Sequence, residues 1–228
     1  MNNYLNGPFN VSFGKLPNNL IVRNNEFDYI TSVFESDTPE TKVISITGAR
    51  GCGKTVLLTQ VKKYFDDLDN WFTVDINPID DVMEQIVSKL YDKIRSKKLF
   101  IDAEIDFSFK GFGISVKENK LNNTMYTYLD KILKYLKKKN YRVLITIDDI
   151  SSNDYVKKFT HSYQSMIREG YYLFLLITGL YENIEKIENN KSLTFLARTP
   201  KLYLNKLSLK AITYSYMDCL NITEDEVS

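Results

Sequence analysis

One short segment of the chain has the residue types and spacing of a phosphate-binding loop. Residues 48–55 read GARGCGKT and match the pattern G-x-x-x-x-G-K-[ST]. The glycines permit close approaches that a side chain would prevent, so that successive N–H groups can converge on phosphate oxygens. The helix that follows directs the positive end of its dipole at the same place. The residues expected to bind a nucleotide in this way are Gly48, Ala49, Arg50, Gly51, Cys52, Gly53, Lys54, Thr55 and Val56.

Lys54 and Thr55 carry the side chains of this motif with specific roles. We expect the Lys54 ammonium group to reach the β- and γ-phosphates and to assist catalysis, and the Thr55 hydroxyl to bind Mg²⁺. The motif follows an apolar run and opens a helical pattern, which is the setting it requires; the alternative is a glycine-rich turn that only joins the two. Cys52 is interpreted as a small residue that fits the loop, with oxidation sensing as the alternative.

A pair of acidic residues follows a second apolar run, VLITI, at residues 143–147. Asp148 is expected to hold Mg²⁺ through water, and Asp149 to act as the base that orients the attacking water. Many strands end in an acidic residue, so the alternative is a solvated strand end. The combination with the phosphate-binding loop favours a metal and water site.

Alternating apolar runs and helical patterns must position these residues. Strands are predicted at residues 43–47, 71–76, 141–147, 171–177 and 201–204, and helices at 25–34, 54–65, 123–139, 153–169 and 181–186. A further helix is predicted to begin with Asn77 as its N-cap and to carry Ile79 on its apolar face. Strands that alternate with helices imply an α/β fold with a mostly parallel, five-stranded sheet between helices. Residues 100–118 break the alternation and are predicted to form an inserted β-hairpin.

The composition fits one large α/β domain and excludes several classes of protein. The chain has 228 residues, 43% of them apolar, and 30 Lys and Arg against 29 Asp and Glu. This balance excludes a polybasic nucleic-acid coat but permits a local basic patch at residues 131–142. Cys52 and Cys219 do not make a disulfide framework. The sequence also has no signal-peptide pattern and no apolar segment of membrane length. Together with the small number of cysteines, these features predict a cytoplasmic protein without membrane contact.

The motifs GARGCGKT, LITIDD and LLITGL occur in the chain in this order. They resemble those of the AAA+ and STAND P-loop ATPases, in particular the initiator-like, origin-recognition-type ATPases. A strand at residues 71–76 lies in the chain between the P-loop strand and the Asp148 strand, and Asp149 directly follows the first acid. Both features resemble the arrangement in these ATPases. The resemblance implies a P-loop NTPase fold with an AAA+-like core that binds ATP. It also makes Thr178 a polar sensor of the γ-phosphate; the alternative is a Thr that caps the turn with Gly179.

The two ends of the chain resemble the same family more weakly. The segment LIVR resembles the family's Leu-(Val/Ile)-Gly-Arg element, which implies that Ile21 and Arg23 border the adenine, although Val22 replaces the glycine. Arg198 lies where AAA+ proteins often carry an arginine finger that reaches a neighbouring subunit; the alternative is a helix-end Arg that complements the dipole. Residues 207–211 resemble the start of the family's helical lid, and the rest of the lid is absent.

Three segments are therefore expected: residues 1–40 leading into the nucleotide site, a P-loop ATPase core at 41–206, and a truncated lid at 207–228. The predicted function is hydrolysis of ATP to ADP and phosphate with Mg²⁺, used as a conformational motor or switch. One alternative is a nucleotide-gated regulatory or DNA-contacting module with little hydrolysis, and another is a P-loop kinase for a small molecule. The expected partners are ATP, a second copy through Arg198, and an unidentified DNA or protein.

Overall fold

Five apolar runs form the strands of one sheet in the computed structural model, which describes residues 23–97, 99 and 118–220. The strands are β1 (Val43–Gly48), β2 (Trp71–Ile76), β3 (Arg142–Ile147), β4 (Leu173–Gly179) and β5 (Lys201–Leu204). Every residue of β1 and β4 is buried. This burial is expected of central parallel strands that are covered on both faces, and it explains why their sequences are continuous apolar runs.

The strand order places β4 between the two strands that carry the predicted site. The order is β2-β3-β4-β1-β5, and the four pairings are parallel. The strand that separates β1 from β3 in the sheet is therefore β4, whereas the strand that separates them in the sequence, β2, lies at an edge. All carboxyl ends lie at one edge of the sheet, because the strands are parallel. The predicted α/β, P-loop NTPase fold is confirmed.

Helices cover both faces of the sheet. On one face, α1 and α2 bury apolar side chains against β1, β3 and β4, while a larger apolar cluster lies under the helices of the other face. The helices are α1 (Asn24–Glu35), α2 (Lys54–Asp66), α3 (Val82–Ser96), α4 (Glu118–Lys138), α5 (Asp154–Arg168), α6 (Tyr181–Glu188), α7 (Thr194–Ala197) and α8 (Leu209–Leu220), with a 3₁₀ turn at Lys191–Leu193.

The predicted start of α3 is wrong. The helix begins at Val82, and its N-cap is Asp81, whose side chain accepts a hydrogen bond of 3.0 Å from the Glu84 N–H. The Asn77 side chain instead accepts from the Ile79 N–H at 3.1 Å and forms a turn before the helix. Ile79 is 74% exposed and does not belong to the apolar face of the helix. Both residue types favour caps and turns, and the choice between them depends on the path of the chain after β2.

Arg142 fixes the end of α1 to the sheet. Its guanidinium group donates to three carbonyl oxygens at 2.9–3.0 Å and pairs with the Asp37 carboxylate at 2.8 Å. It also lies near the rings of Trp71 and Tyr172, 5.8 and 5.7 Å from their centroids. A cation at a helix carboxyl end satisfies carbonyl groups that have no partner within the helix. The carbonyl groups belong to Phe34, Glu35 and Ser36.

Two predictions lie outside the described residues: the inserted hairpin and the adenine contact of Ile21. None of the helices within residues 23–97 and 118–220 has both the length and the apolar character needed to cross a membrane.

Candidate functional site

The loop between β1 and α2 has the backbone conformation that its glycines predict. Gly51 and Gly53 have φ values of 78° and 92°, in the left-handed region that side chains other than glycine rarely adopt. Gly53 is also the N-cap of α2, so this conformation sets the direction in which the helix leaves the loop. At Gly48 the constraint is space, because a Cβ there would lie 2.6 Å from the Leu204 carbonyl oxygen. The loop is therefore held tightly against the end of β5.

Lys54 extends back over the loop. Its ammonium group donates to the carbonyl oxygens of Gly48 at 3.0 Å and Ala49 at 2.9 Å, and the residue is only 9% exposed. The positive charge thus lies within the loop that offers N–H groups to an anion. The contact of Lys54 with nucleotide phosphates stays a prediction.

Thr55 and Asp148 meet at the carboxyl edge of the sheet. The Thr55 hydroxyl donates to Asp148 Oδ2 at 2.8 Å, although the two residues are 93 positions apart in the chain. The contact joins the start of α2 to the end of β3. Because β4 lies between β1 and β3, these side chains reach across the end of an intervening strand.

Thr178, on β4, connects the two acidic residues. Its hydroxyl donates to Asp148 Oδ1 and accepts a hydrogen bond of 2.9 Å from the Asp149 N–H. The side chain is fully buried. The partners of this hydroxyl lie on the segment after β3, so the alternative that Thr178 caps its own turn is wrong.

Asp149 has an unusual backbone conformation. Its φ is 51°, in the left-handed region, which Asp and Asn visit more readily than other side chains. The next residue, Ile150, is buried and donates its N–H to the Thr178 carbonyl oxygen at 2.8 Å. The backbone around Asp149 is thus fixed from both sides by Thr178, while the side chain itself is exposed.

The side chains of Thr55 and Asp148 fit a magnesium ion. Mg²⁺ prefers oxygen ligands and is often bound by one or two protein groups together with waters and substrate phosphates. A hydroxyl and a carboxylate oxygen 2.8 Å apart, next to a phosphate-binding loop, provide such ligands. Within residues 23–97, 99 and 118–220, no three His, Cys, Asp or Glu side chains are clustered as a metal site. The magnesium site would therefore need the nucleotide and water as further ligands.

The other predicted residues lie in different surroundings. Cys52 is buried and free, which agrees with its interpretation as a small residue that fits. Arg50 is exposed at the loop, and Val56 is half-buried in the first turn of α2. Arg198 is exposed just after α7, and its side chain forms no hydrogen bond or ion pair with the residues that the structure describes. The structure therefore does not join Arg198 to the group around Asp148.

Arg23 makes a connection that the sequence did not predict. One nitrogen of its guanidinium group donates to the Cys52 carbonyl oxygen at 2.8 Å and also to that of Asn205, and the side chain is 13% exposed. A second nitrogen pairs with Glu26 at 3.4 Å. The only signal in the sequence was the resemblance of LIVR to a family element, which gave no hint of these acceptors.

A phosphate-binding loop, an acidic pair after β3 and a buried polar residue on the intervening β4 are the parts of a P-loop ATPase domain. The chain belongs to the ATPase_2 family, an ATPase domain predominantly from Archaea, whose sequence model matches residues 20–194. No curated protein gives a significant match.

Several solved structures share the fold. Cdc6p from Pyrobaculum aerophilum superposes with a TM-score of 0.60 at 17% identity, over 92% of this chain and 52% of its own. The ORC2 protein of Aeropyrum pernix, in its ADP form, gives 0.59 at 12% identity, over 94% and 56%. The A. pernix ORC1 protein in complex with DNA gives 0.51 at 13% identity, over 90% and 51%. The chain thus spans about half the length of these proteins.

Proposed function

We propose that this domain binds ATP with Mg²⁺ and hydrolyses it to ADP and phosphate, and that the cycle drives a conformational motor or switch. The observation that carries this proposal is the 2.8 Å contact between the Thr55 hydroxyl and Asp148. It brings the first turn of the P-loop helix to the acidic end of β3, where the metal and the γ-phosphate of a bound nucleotide need their ligands.

Each residue of the site has a distinct role in this proposal. The amides of residues 48–55 and the Lys54 ammonium group hold the phosphates and attract the charge that develops on them. Thr55 and Asp148 hold Mg²⁺, directly or through water, and the ion neutralises phosphate charge when it is bound. Because Thr178 already donates to Asp148, it fixes the orientation of this carboxylate.

Asp149 is proposed to accept the proton of the attacking water. Its side chain is exposed at the site edge, while its backbone N–H is bound by Thr178. This arrangement leaves both carboxylate oxygens available for water. The same hydroxyl of Thr178 therefore links the metal ligand to the base, which makes Thr178 the proposed sensor of the γ-phosphate.

Replacing Asp149 by Asn tests the assignment of the base. Asn tolerates the same left-handed backbone, so the fold around Thr178 is retained. We expect single-turnover hydrolysis to slow by about 100-fold or more, since a positioned base contributes about 10²–10⁴ in rate. ATP affinity, measured by titration calorimetry, is expected to be unchanged. Hydrolysis by the variant at the wild-type rate would refute this role.

A nucleotide-gated regulatory module with little hydrolysis is the second candidate. It is favoured by the short Asp149 side chain, where many related ATPases carry Glu, because a shorter acid holds water less closely to the phosphate. Single-turnover hydrolysis by the wild-type protein, at high protein concentration, separates the two. Tight binding of ATP without release of phosphate over hours supports the module, and measurable turnover supports the ATPase.

The exposed side chain of Arg198 is proposed to reach the nucleotide site of a second copy. Its lack of partners among the described residues leaves it available for that contact. Hydrolysis per molecule should then rise with protein concentration, and a constant value would contradict the contact. A DNA or protein partner in the cytosol is also part of the proposal; the A. pernix ORC1 protein is seen in complex with DNA.

A further inference from the structure

Arg23 lies where three parts of the chain meet. It directly precedes α1, and its guanidinium group contacts the P-loop at Cys52 and the segment after β5 at Asn205. Both hydrogen bonds come from the same nitrogen, Nη2, which has two N–H groups and so can serve both acceptors. Glu26 pairs with the other nitrogen, Nη1, at 3.4 Å and does not contact Nη2.

The P-loop and the end of β5 are also in direct contact. The Leu204 carbonyl oxygen lies so near Gly48 that a Cβ there would be only 2.6 Å away. After Asn205 the chain leads within a few residues to α8, where the Ser208 hydroxyl accepts from the Ala211 N–H at 3.1 Å. A shift of the P-loop at Cys52 would therefore displace the segment in which the chain leaves the sheet and leads to α8.

The acceptor on the P-loop has a special chemical position. The Cys52 carbonyl and the Gly53 N–H belong to one peptide group, and Gly53 is the N-cap of α2. When that N–H donates to a phosphate, polarisation of the shared peptide makes its carbonyl oxygen a stronger acceptor. The hydrogen bond from Arg23 to Cys52 should therefore strengthen when a phosphate is bound.

We propose that Arg23 is a positioning residue that transmits the occupation of the P-loop to the segment joining β5 and α8. This inference rests on the proposed binding of ATP or ADP to the P-loop. Nucleotide binding tightens the bond to Cys52, and the same guanidinium nitrogen then holds Asn205 in place. Lys does not replace Arg in this role, because its side chain is one bond shorter than the path to Nη2 and it lacks the planar, pre-organised group that holds this nitrogen against both carbonyl oxygens.

Hydrogen exchange on the whole chain, with and without ADP and Mg²⁺, tests the coupling. In the wild type, ADP should slow amide exchange by about tenfold at residues 48–58 and also at residues 204–213, because the strengthened charge-assisted bond from Arg23 stabilises the second segment together with the loop. In Arg23→Lys, residues 48–58 should keep their protection while residues 204–213 lose it. Glu26→Gln is the matched control, since it leaves both bonds from Nη2 intact and should keep both effects.

The outcomes separate this inference from the proposed function. Absence of protection at residues 48–58 in the wild type overturns nucleotide binding, and the inference with it. Protection there without any change at residues 204–213 overturns the coupling alone, as does full protection of both segments in Arg23→Lys. Because the wild-type result already decides whether the segments are coupled, the test stands even if the lysine variant fails to fold; Arg23→Gln then provides the second variant.

Discussion

Replacing Thr178 by Val removes one hydroxyl with two functions and nearly preserves the shape of the side chain. The hydroxyl accepts from the Asp149 N–H at 2.9 Å and donates to the Asp148 carboxylate, in a fully buried position. A neutral hydrogen bond contributes about 1 kcal/mol to stability and one to a charged group about 1.5–3 kcal/mol. Because both bonds are lost, we expect the free energy of unfolding to fall by about 2.5–4 kcal/mol. Hydrolysis should also slow, because both acidic residues lose their orientation.

The expected loss in kcat for Thr178→Val is about 10–100-fold, which corresponds to about 1.4–2.7 kcal/mol of transition-state stabilisation. The affinity for ATP should change by less than about threefold, since the amides of the P-loop are untouched. Steady-state phosphate release and calorimetric titration measure the two quantities. Thr160→Val is the matched control: its hydroxyl is equally buried but bonds only to Val156 within α5. Equal losses of kcat in both variants, or a kcat of Thr178→Val at the wild-type value, would refute the reasoning.

Two further predictions concern stability, and urea unfolding measures both. Arg142→Ala should lower the free energy of unfolding by about 2–4 kcal/mol, because charge-assisted bonds to the end of α1 and packing near two rings are lost; a loss below about 0.5 kcal/mol would contradict this role. Burial tends to raise the pKa of Asp66, but hydrogen bonds from Lys93 and Thr73 outweigh it and lower the pKa. Asp66 therefore stabilises the fold above its unfolded pKa of about 3.9, and this contribution is lost as pH falls through the lower folded value. Asp66→Asn should cost about 1 kcal/mol or less at pH 7, since the pair is partly exposed, and the difference should shrink as the pH falls below the unfolded pKa of about 3.9; a difference independent of pH would contradict it.

The P-loop and the acidic pair could be predicted because their chemistry is local. Eight consecutive residues contain the loop, and two consecutive residues contain both acids. The five strands were likewise found as continuous apolar runs, and their bounds differ from the observed ones by at most about two residues. Parallel strands with helical crossovers leave few possible arrangements, so the α/β class followed from the alternation alone.

Contacts between distant segments could not be predicted in the same way. Asp149 and Thr178 are 29 positions apart in the chain. They are in contact only because β4 lies beside β3 in the sheet. The sequence showed β2 as the intervening strand, and nothing in it determines the order of strands in space. The hydrogen bonds of Arg23 to main-chain carbonyl oxygens could not be predicted from residue types, because any residue can provide such an acceptor. The prediction of where α3 begins was wrong for a related reason. Asn77 and Asp81 are residue types that cap helices equally well, so the sequence does not decide between them.

Calorimetric titration of ATP, with and without Mg²⁺, into the wild type and Asp148→Asn tests the central claim most directly. If Thr55 and Asp148 hold the metal beside the P-loop, Mg²⁺ should raise the ATP affinity of the wild type by about tenfold or more. The variant should bind ATP without Mg²⁺ at least as well and lose most of that increase, because its amide is a weaker metal ligand than a carboxylate. ATP that fails to bind the wild type, or a variant that keeps the full effect of Mg²⁺, would contradict the account.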